Sequence, residues 1–171
     1  GVSFVVSCIQ TALIWGEGEI VLSDFDFQRE YEKPEDNIYK FYSNCFSGSH
    51  RYDRVSAYFS QSVFIIVWDQ LIEFVQRNGK IRLLCSPLKR REFEVVQEAY
   101  EAKSDDELSQ AIIDDLNSLL LSPKLDHNAA GKALAGLITK GILEVKFVTI
   151  ENGIFHSKGG MFSDPEGNKI I

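Results

Sequence analysis

The chain has 171 residues, of which 44% are hydrophobic and 25% charged, and its formal net charge is −7. This length and composition suit one soluble globular domain with a single core. The negative charge argues against a broad basic surface that holds nucleic acid by neutralising phosphates alone, but it is compatible with a local basic pocket or a neighbouring basic domain. The three scattered cysteines, Cys8, Cys45 and Cys85, argue against a structural zinc site and favour a reducing, cytoplasmic location.

Residues 1–33 form a connector of uncertain role. Their first part, GVSFVVSCIQTALIW, is apolar and uncharged, yet it is too short to cross a bilayer and lacks the basic start of a secretory signal. It predicts either a buried strand followed by a turn at Gly16-Glu17-Gly18, which we favour, or a segment that belongs to something cut away. Because the chain begins without Met and stops at Ile170-Ile171, we expect a fragment of a longer protein.

The next part of the chain predicts a βαβ unit. Pro34 is well placed to open a helix that ends at Gly48, and a strand is predicted over residues 54–60. An apolar helix then runs to a C-terminal cap at Gly79, and the alternating KIRLLCS follows as a strand. Strand, helix and strand within about thirty residues form a unit whose crossover is almost always right-handed.

Three helices are predicted after this unit. The first is KRREFEVVQEAYEAK, and a Ser-x-x-Glu capping box at Ser104 opens the second. The third runs from about Asp126 to Lys140 and ends at Gly141.

The last part of the chain predicts strands. ILEVKFVT is rich in β-branched and aromatic residues, and IFHSKGGMF continues the pattern. DPEGN predicts a type I turn with Pro165 in the second position and Gly167 in the fourth. The predicted class is α/β, with a mixed β-sheet flanked by helices, in a single domain whose core covers residues 34–171.

The final hairpin contains the arrangement that points to chemistry. Side chains two residues apart share one face of a strand, so His156 and Lys158 project together, about 7 Å apart along the chain. An imidazole can attack phosphorus or donate a proton near neutral pH, and an ammonium can hold the non-bridging phosphate oxygens. Gly159 and Gly160 remove bulk, which lets a ligand or a second backbone come close. A His-x-Lys in a strand is more often an ordinary solvated face, so the pattern alone leaves both interpretations open.

The segment HSKGGMFSDPEGNKI resembles the His-x-Lys motif of the phospholipase D-like (HKD) superfamily, in the form found in nuclease-type domains at the N-terminus of bacterial helicase and restriction-type proteins. Three further segments are similar to that group, and together with the motif they cover about residues 37 to 171: NIYKFYSNCFSGSHRYDRVSAYFSQSVF, NGKIRLLCSP and LAGLITKGILEVKFV. The resemblance implies a phospholipase D-like domain that is incomplete, because the chain stops just after the motif hairpin.

The resemblance also implies a hydrolase: a metal-independent phosphodiesterase without cofactors, with a DNA nuclease module as the favoured form. His156 would be the nucleophile or the general acid, acting through a phosphohistidine intermediate. Lys158 would bind the phosphate, with Ser157 and Gly160 beside it. Asp164 is the candidate for the family's acidic residue, although it stands one position later than the usual spacing of Lys, four residues, Asp. The family's downstream Gly-Ser-x-Asn segment would lie beyond the last residue.

The chemistry requires two histidines, one to attack and one to protonate the leaving oxygen. Because the chain has a single His-x-Lys, the second must come from an identical chain across a two-fold axis or from a missing C-terminal half, and the homodimer is the simpler solution. The expected partners are therefore a second copy, nucleic acid, and a fused or associated helicase domain, with no membrane. The alternative function is a non-catalytic dimerisation or nucleic-acid-recognition module with a degenerate motif. A lipid-hydrolysing enzyme ranks last, because the sequence shows no amphipathic membrane-binding face.

Other polar residues have simpler interpretations. We expect Asp53 and Arg54 to make local turn contacts. Ser86 lies at a strand end, the edge of an α/β sheet where ligands bind, but a turn role explains it. We expect His50 and His127 to lie on the surface, in contact with solvent.

Overall fold

The structure, a computed structural model, describes residues 20–27, 35–61, 63–86, 90–122, 124–148, 150 and 155–171. The predicted N-terminal strand, its turn at Gly16-Glu17-Gly18, and Pro34 as a helix start lie outside these ranges. The described residues form an α/β fold with a five-stranded mixed sheet, as the alternation of apolar periods predicts.

The elements are numbered in chain order, after a short 3₁₀ turn at Leu22–Asp24. The helices are α1 (Glu35–Gly48), α2 (Val63–Ile66), α3 (Trp68–Gln76), α4 (Arg90–Ala102), α5 (Asp106–Leu119) and α6 (Ala130–Thr139). The strands are β1 (Arg51–Ser56), β2 (Lys80–Cys85), β3 (Leu143–Phe147), β4 (Lys158–Ser163) and β5 (Lys169–Ile170). None of the helices in the described ranges is long and apolar enough to cross a membrane.

The sheet has the order β3-β2-β1-β4-β5. Strands β1, β2 and β3 are parallel, and β4 is antiparallel to both β1 and β5. The chain moves in one direction across the sheet from β1 to β2 to β3. Because such crossovers are almost always right-handed, two in the same direction bring their helices to the same face. One face of the sheet is therefore covered by helices and the other is open. Strand β2 shows this, since its residues alternate strictly between exposed and buried from Lys80 to Cys85.

An aromatic cluster on the helix side holds β4 against β1. The rings of Tyr52 in β1 and Phe162 in β4 are cross-strand partners and stack with centroids 3.9 Å apart. Phe46 of α1 contacts both rings edge-on and also meets Phe74 of α3, at 5.3 Å between centroids. All four residues are buried. Because aromatic pairs of this kind add to the free energy of burial, the cluster sets the position of β4, which carries the candidate motif.

Strand β1 begins and ends earlier than residues 54–60, the range predicted from the sequence. The chain leaves the strand after Ser56, whose Oγ donates to the carbonyl oxygen of Tyr58 at 2.6 Å. The long helix predicted after it is divided at Val67 into α2 and α3. The sequence pattern missed both boundaries because apolar residues continue through them.

The capping box predicted at Ser104 is wrong. The N-cap of α5 is Asp105, whose carboxylate accepts from the backbone N–H of Leu108 at 3.0 Å. Ser104 Oγ donates to the carbonyl oxygen of Glu101 at 2.7 Å and so completes the preceding helix. The third predicted helix starts at Ala130, later than expected.

Candidate active site

The motif residues lie at one end of the strands, which we call the carboxyl edge of the sheet. Lys158, the first residue of β4, pairs with Ser56, the last residue of β1. Ser56 in turn pairs with Cys85, the last residue of the parallel strand β2. The motif therefore lies at the carboxyl ends of the parallel strands, the edge where open α/β sheets bind their ligands.

The structure brings the side chains of His156 and Lys158 together. Both residues are exposed, and Lys158 Nζ lies 3.4 Å from His156 Nε2. An imidazole nitrogen that carries a lone pair can accept from this ammonium, and the same form of the nitrogen attacks an electrophile. The distance is long for a hydrogen bond, so a phosphate oxygen can take the place of Nε2 as the acceptor for Lys158.

Two hydrogen bonds fix the segment just before β4. The sequence predicted a strand that includes His156, but β4 begins at Lys158. Ser86 Oγ donates to the carbonyl oxygen of Phe155 at 3.3 Å. The N–H of Ala57 donates to the carbonyl oxygen of Ser157 at 2.9 Å, while the side chain of Ser157 is exposed. Because both residues next to His156 are held by their backbone, the imidazole is presented from a defined point on the sheet edge.

Tyr58 is a neighbour of the imidazole that the sequence analysis did not identify. It is 71% exposed, and its ring lies edge-on to the ring of His156 with centroids 6.4 Å apart. The bond from Ser56 to its carbonyl oxygen fixes the turn that carries it. An aromatic residue directly after a strand was the available signal, but the strand was predicted to run through it.

A cavity of about 360 Å³ reaches Lys158 from the helix side of the sheet. It is lined by Arg54, whose Nη1 donates to the hydroxyl of Tyr52 at 2.7 Å and to that of Tyr42 at 3.2 Å. Burial raises the pKa of Tyr52 to about 12, although Arg54 acts in the opposite direction, so this phenol stays neutral at physiological pH. Arg54 is therefore an inward-facing strand residue and not a turn residue.

Asp53 lies on the opposite, open face of β1 and serves a different purpose. Its carboxylate accepts two bonds from Arg82, at 2.7 and 2.8 Å, and two from Arg51. The hydrogen bond from Arg82 lowers the pKa of Asp53, burial opposes that change, and Arg51 adds to it. The open face thus carries two arginines that share one aspartate across neighbouring strands.

The two glycines of the motif differ in what surrounds them. A β-carbon at Gly160 would lie 2.9 Å from Cε2 and 3.1 Å from the hydroxyl oxygen of Tyr52, whereas one at Gly159 would meet nothing within 4 Å. The neighbour that Gly160 accommodates is thus a side chain of this protein, the same one that holds Arg54.

We expect Gly160→Ala to lower the free energy of unfolding by about 1–3 kcal/mol, because the added methyl group displaces the ring of Tyr52. Gly159→Ala is the matched control and should change stability by less than about 1 kcal/mol. Urea denaturation of the two variants measures the difference. Equal stabilities would show that the ring of Tyr52 moves aside without cost.

Asp164 lies at the other end of β4 from the motif. It is only 2% exposed, and its carboxylate accepts from the N–H of Leu22 and from the N–H and side-chain amide of Asn168, at 2.8–3.0 Å. Eight residues of nearly extended chain place it on the order of 26 Å from His156. The structure does not bring Asp164 to the histidine, and its contacts are those of a residue that holds the predicted turn.

The described cysteines offer no competing nucleophile. Burial raises the pKa of Cys45 to about 12 and that of Cys85 to about 11. Both therefore stay protonated thiols near neutral pH, and a thiol is a much weaker nucleophile than a thiolate.

Comparisons with protein-family models, with curated proteins and with solved structures found no match for this chain. Within the part of the chain that the structure describes, no group of three or more His, Cys, Asp or Glu side chains is placed to hold a metal ion. The functional interpretation therefore depends on the geometry of the site and on the resemblance in the sequence.

Proposed function

We propose that this protein is a metal-independent phosphodiesterase of the phospholipase D-like kind, and that it acts as a DNA nuclease module of a helicase or restriction-type defence protein. The observation that carries the proposal is the exposed pair of His156 and Lys158 at the carboxyl edge of the parallel strands. A nucleophile and a cation side by side on an open edge suit attack on a phosphodiester.

In this mechanism Nε2 of His156 attacks phosphorus, a P–N bond forms, and the P–O bond to the leaving strand breaks. Lys158 stabilises the negative charge on the non-bridging oxygens. A second histidine donates its proton to the leaving oxygen. It then accepts a proton from the water that hydrolyses the phosphohistidine, so both histidines return to their starting forms.

The second histidine comes from an identical chain in this proposal. His156 and Lys158 are both exposed, so a second copy can approach them. A dimer with the two motif segments at its axis would place one pair on each side of the phosphate. Activity should then rise more steeply than in proportion to protein concentration in the range where the dimer dissociates.

Nucleic acid is favoured as the substrate because an exposed tyrosine adjoins the imidazole. Tyr58 presents its ring beside His156, and nucleobases stack on exposed aromatic rings. The net charge of −7 fits a module that receives DNA from a separate motor domain.

We expect Tyr58→Ala to weaken binding of single-stranded DNA about tenfold, because base stacking contributes about 1–3 kcal/mol per base. Tyr58→Phe keeps the ring and should bind like the parent protein. Fluorescence anisotropy with a labelled oligonucleotide measures both variants. If Tyr58→Phe loses as much affinity as Tyr58→Ala, the ring is not a stacking surface.

The proposal is tested by incubating the protein with single- and double-stranded DNA in EDTA and following cleavage over a range of protein concentrations. Cleavage under these conditions supports a metal-independent enzyme. The alternative, a non-catalytic dimerisation or nucleic-acid-recognition module, is favoured by the distance of Asp164 from the site. It predicts DNA binding or dimerisation with no cleavage under any condition.

A further inference from the structure

Arg54 is a half-buried cation that has no acidic partner among the described residues. It lies on the helix side of β1, opposite Gly160 of β4. The two groups that hold its Nη1 are the hydroxyls of Tyr42 and Tyr52. Burying a charge without a counter-charge costs free energy, so an anion at this position would stabilise the site.

The cavity of about 360 Å³ joins this cation to the motif. Arg54 and Lys158 both line it, together with aromatic walls from Tyr42 and Phe162. In the register of β1 and β4 the two cations are diagonal neighbours on one face, and such residues are about 7–8 Å apart. The volume lies within the range of small-ligand pockets, about 300–1,000 Å³.

We propose that this cavity binds a second phosphate group of the substrate strand on Arg54, while Lys158 holds the phosphate that is cleaved. The inference rests on the proposed phosphodiesterase function and specifies how its site recognises substrate. The tyrosine hydroxyls fix one end of the guanidinium. Nε and Nη2, which have no acceptor within the described ranges, remain to bind phosphate in the bidentate manner that suits arginine. The aromatic walls offer apolar surface to the attached sugar or base.

The test is isothermal titration calorimetry with an eight-residue oligothymidylate, in the His156→Asn background so that the strand is not cleaved. Arg54→Gln should weaken binding about tenfold or more. It should also make the dependence of log K on log salt concentration shallower by about 0.7, the value for one lost phosphate contact on a single strand. A purely structural role would leave that slope unchanged.

Arg82→Gln is the matched control. It removes the same charge from the neighbouring strand, but its side chain lies on the open face and pairs with Asp53. We expect it to bind the oligonucleotide like the parent. Equal losses in Arg54→Gln and Arg82→Gln, or no change in Arg54→Gln, would overturn the inference.

Oligonucleotides with and without a 5′-terminal phosphate distinguish the two sources of the second phosphate. If Arg54→Gln weakens binding of both equally, the site takes an internal phosphate; if it weakens only the phosphorylated strand, the site takes the terminal one. Should Arg54→Gln fail to fold, Arg54→Lys replaces it, with the salt slope kept and affinity lowered about threefold. Affinity equal to that of the parent in Arg54→Lys would then overturn the inference. These measurements need no turnover, so their failure is separate from a failure to observe cleavage.

Discussion

His156→Ala is expected to lower kcat/KM for DNA cleavage in EDTA by at least about 10³-fold, because it removes the group that forms the bond to phosphorus. The exposed position of the ring implies that the protein stays folded, since no core contact is lost. Cleavage is measured with a labelled oligonucleotide under single-turnover conditions, and folding by circular dichroism.

His50→Ala is the control for this variant. His50 is also exposed, but it lies just before β1, at the opposite end of the strands from the motif, so its loss should leave kcat/KM unchanged. If the two variants cleave DNA equally well, the observed activity does not come from this site and the proposed function is wrong. Covalent trapping on His156 of the retained strand, linked through its phosphate and seen as an acid-labile mass increase, would support the attack directly.

Asp164→Ala is expected to lower the free energy of unfolding by about 3 kcal/mol. The substitution leaves the buried N–H of Leu22 and the partly buried N–H of Asn168 without an acceptor, and a buried donor without a partner costs about 1–3 kcal/mol. Urea denaturation measures the effect. Asp115→Ala is the control, because the exposed ion pair of Asp115 with Lys132 should contribute no more than about 1 kcal/mol.

The contribution of Asp164 should depend on pH in a defined direction. Burial alone would raise its pKa, but the hydrogen bonds from Asn168 and from the N–H groups of Leu22 and Glu166 outweigh that effect and hold the pKa below its usual value. The stabilisation is therefore complete above the unfolded pKa of about 3.9 and is lost as pH falls through the folded value. The difference in stability between the parent and Asp164→Ala should accordingly shrink below about pH 4.

The same variant separates two roles for Asp164. If it only holds the turn, cleavage per folded molecule should stay close to that of the parent at a temperature where both are folded. A loss of activity as large as that of His156→Ala, in a protein that is still folded, would instead support the catalytic role that the resemblance implies.

The sequence by itself determined the class of the fold and the pairing of the two motif side chains. Apolar periods of two and of about 3.6 residues depend only on local geometry, so they correctly predicted the strands around KIRLLCS and ILEVKFVT and the helices between them. The two-residue spacing of His156 and Lys158 is also local and brings their side chains together, although His156 precedes β4 and so lies outside the strand on which the prediction was based. The glycine signals at Gly48 and Gly79 are local as well.

Only the tertiary structure decided what surrounds that pair. The carboxylate of Asp164 meets an N–H group 142 residues earlier in the chain, and Arg54 faces the motif because β4 pairs with β1. Tyr58 reaches the imidazole because β1 ends at Ser56, two residues before it. Contacts of this kind depend on which distant segments pack together. Packing depends on the whole chain, so the spacing of apolar residues within one segment cannot predict it.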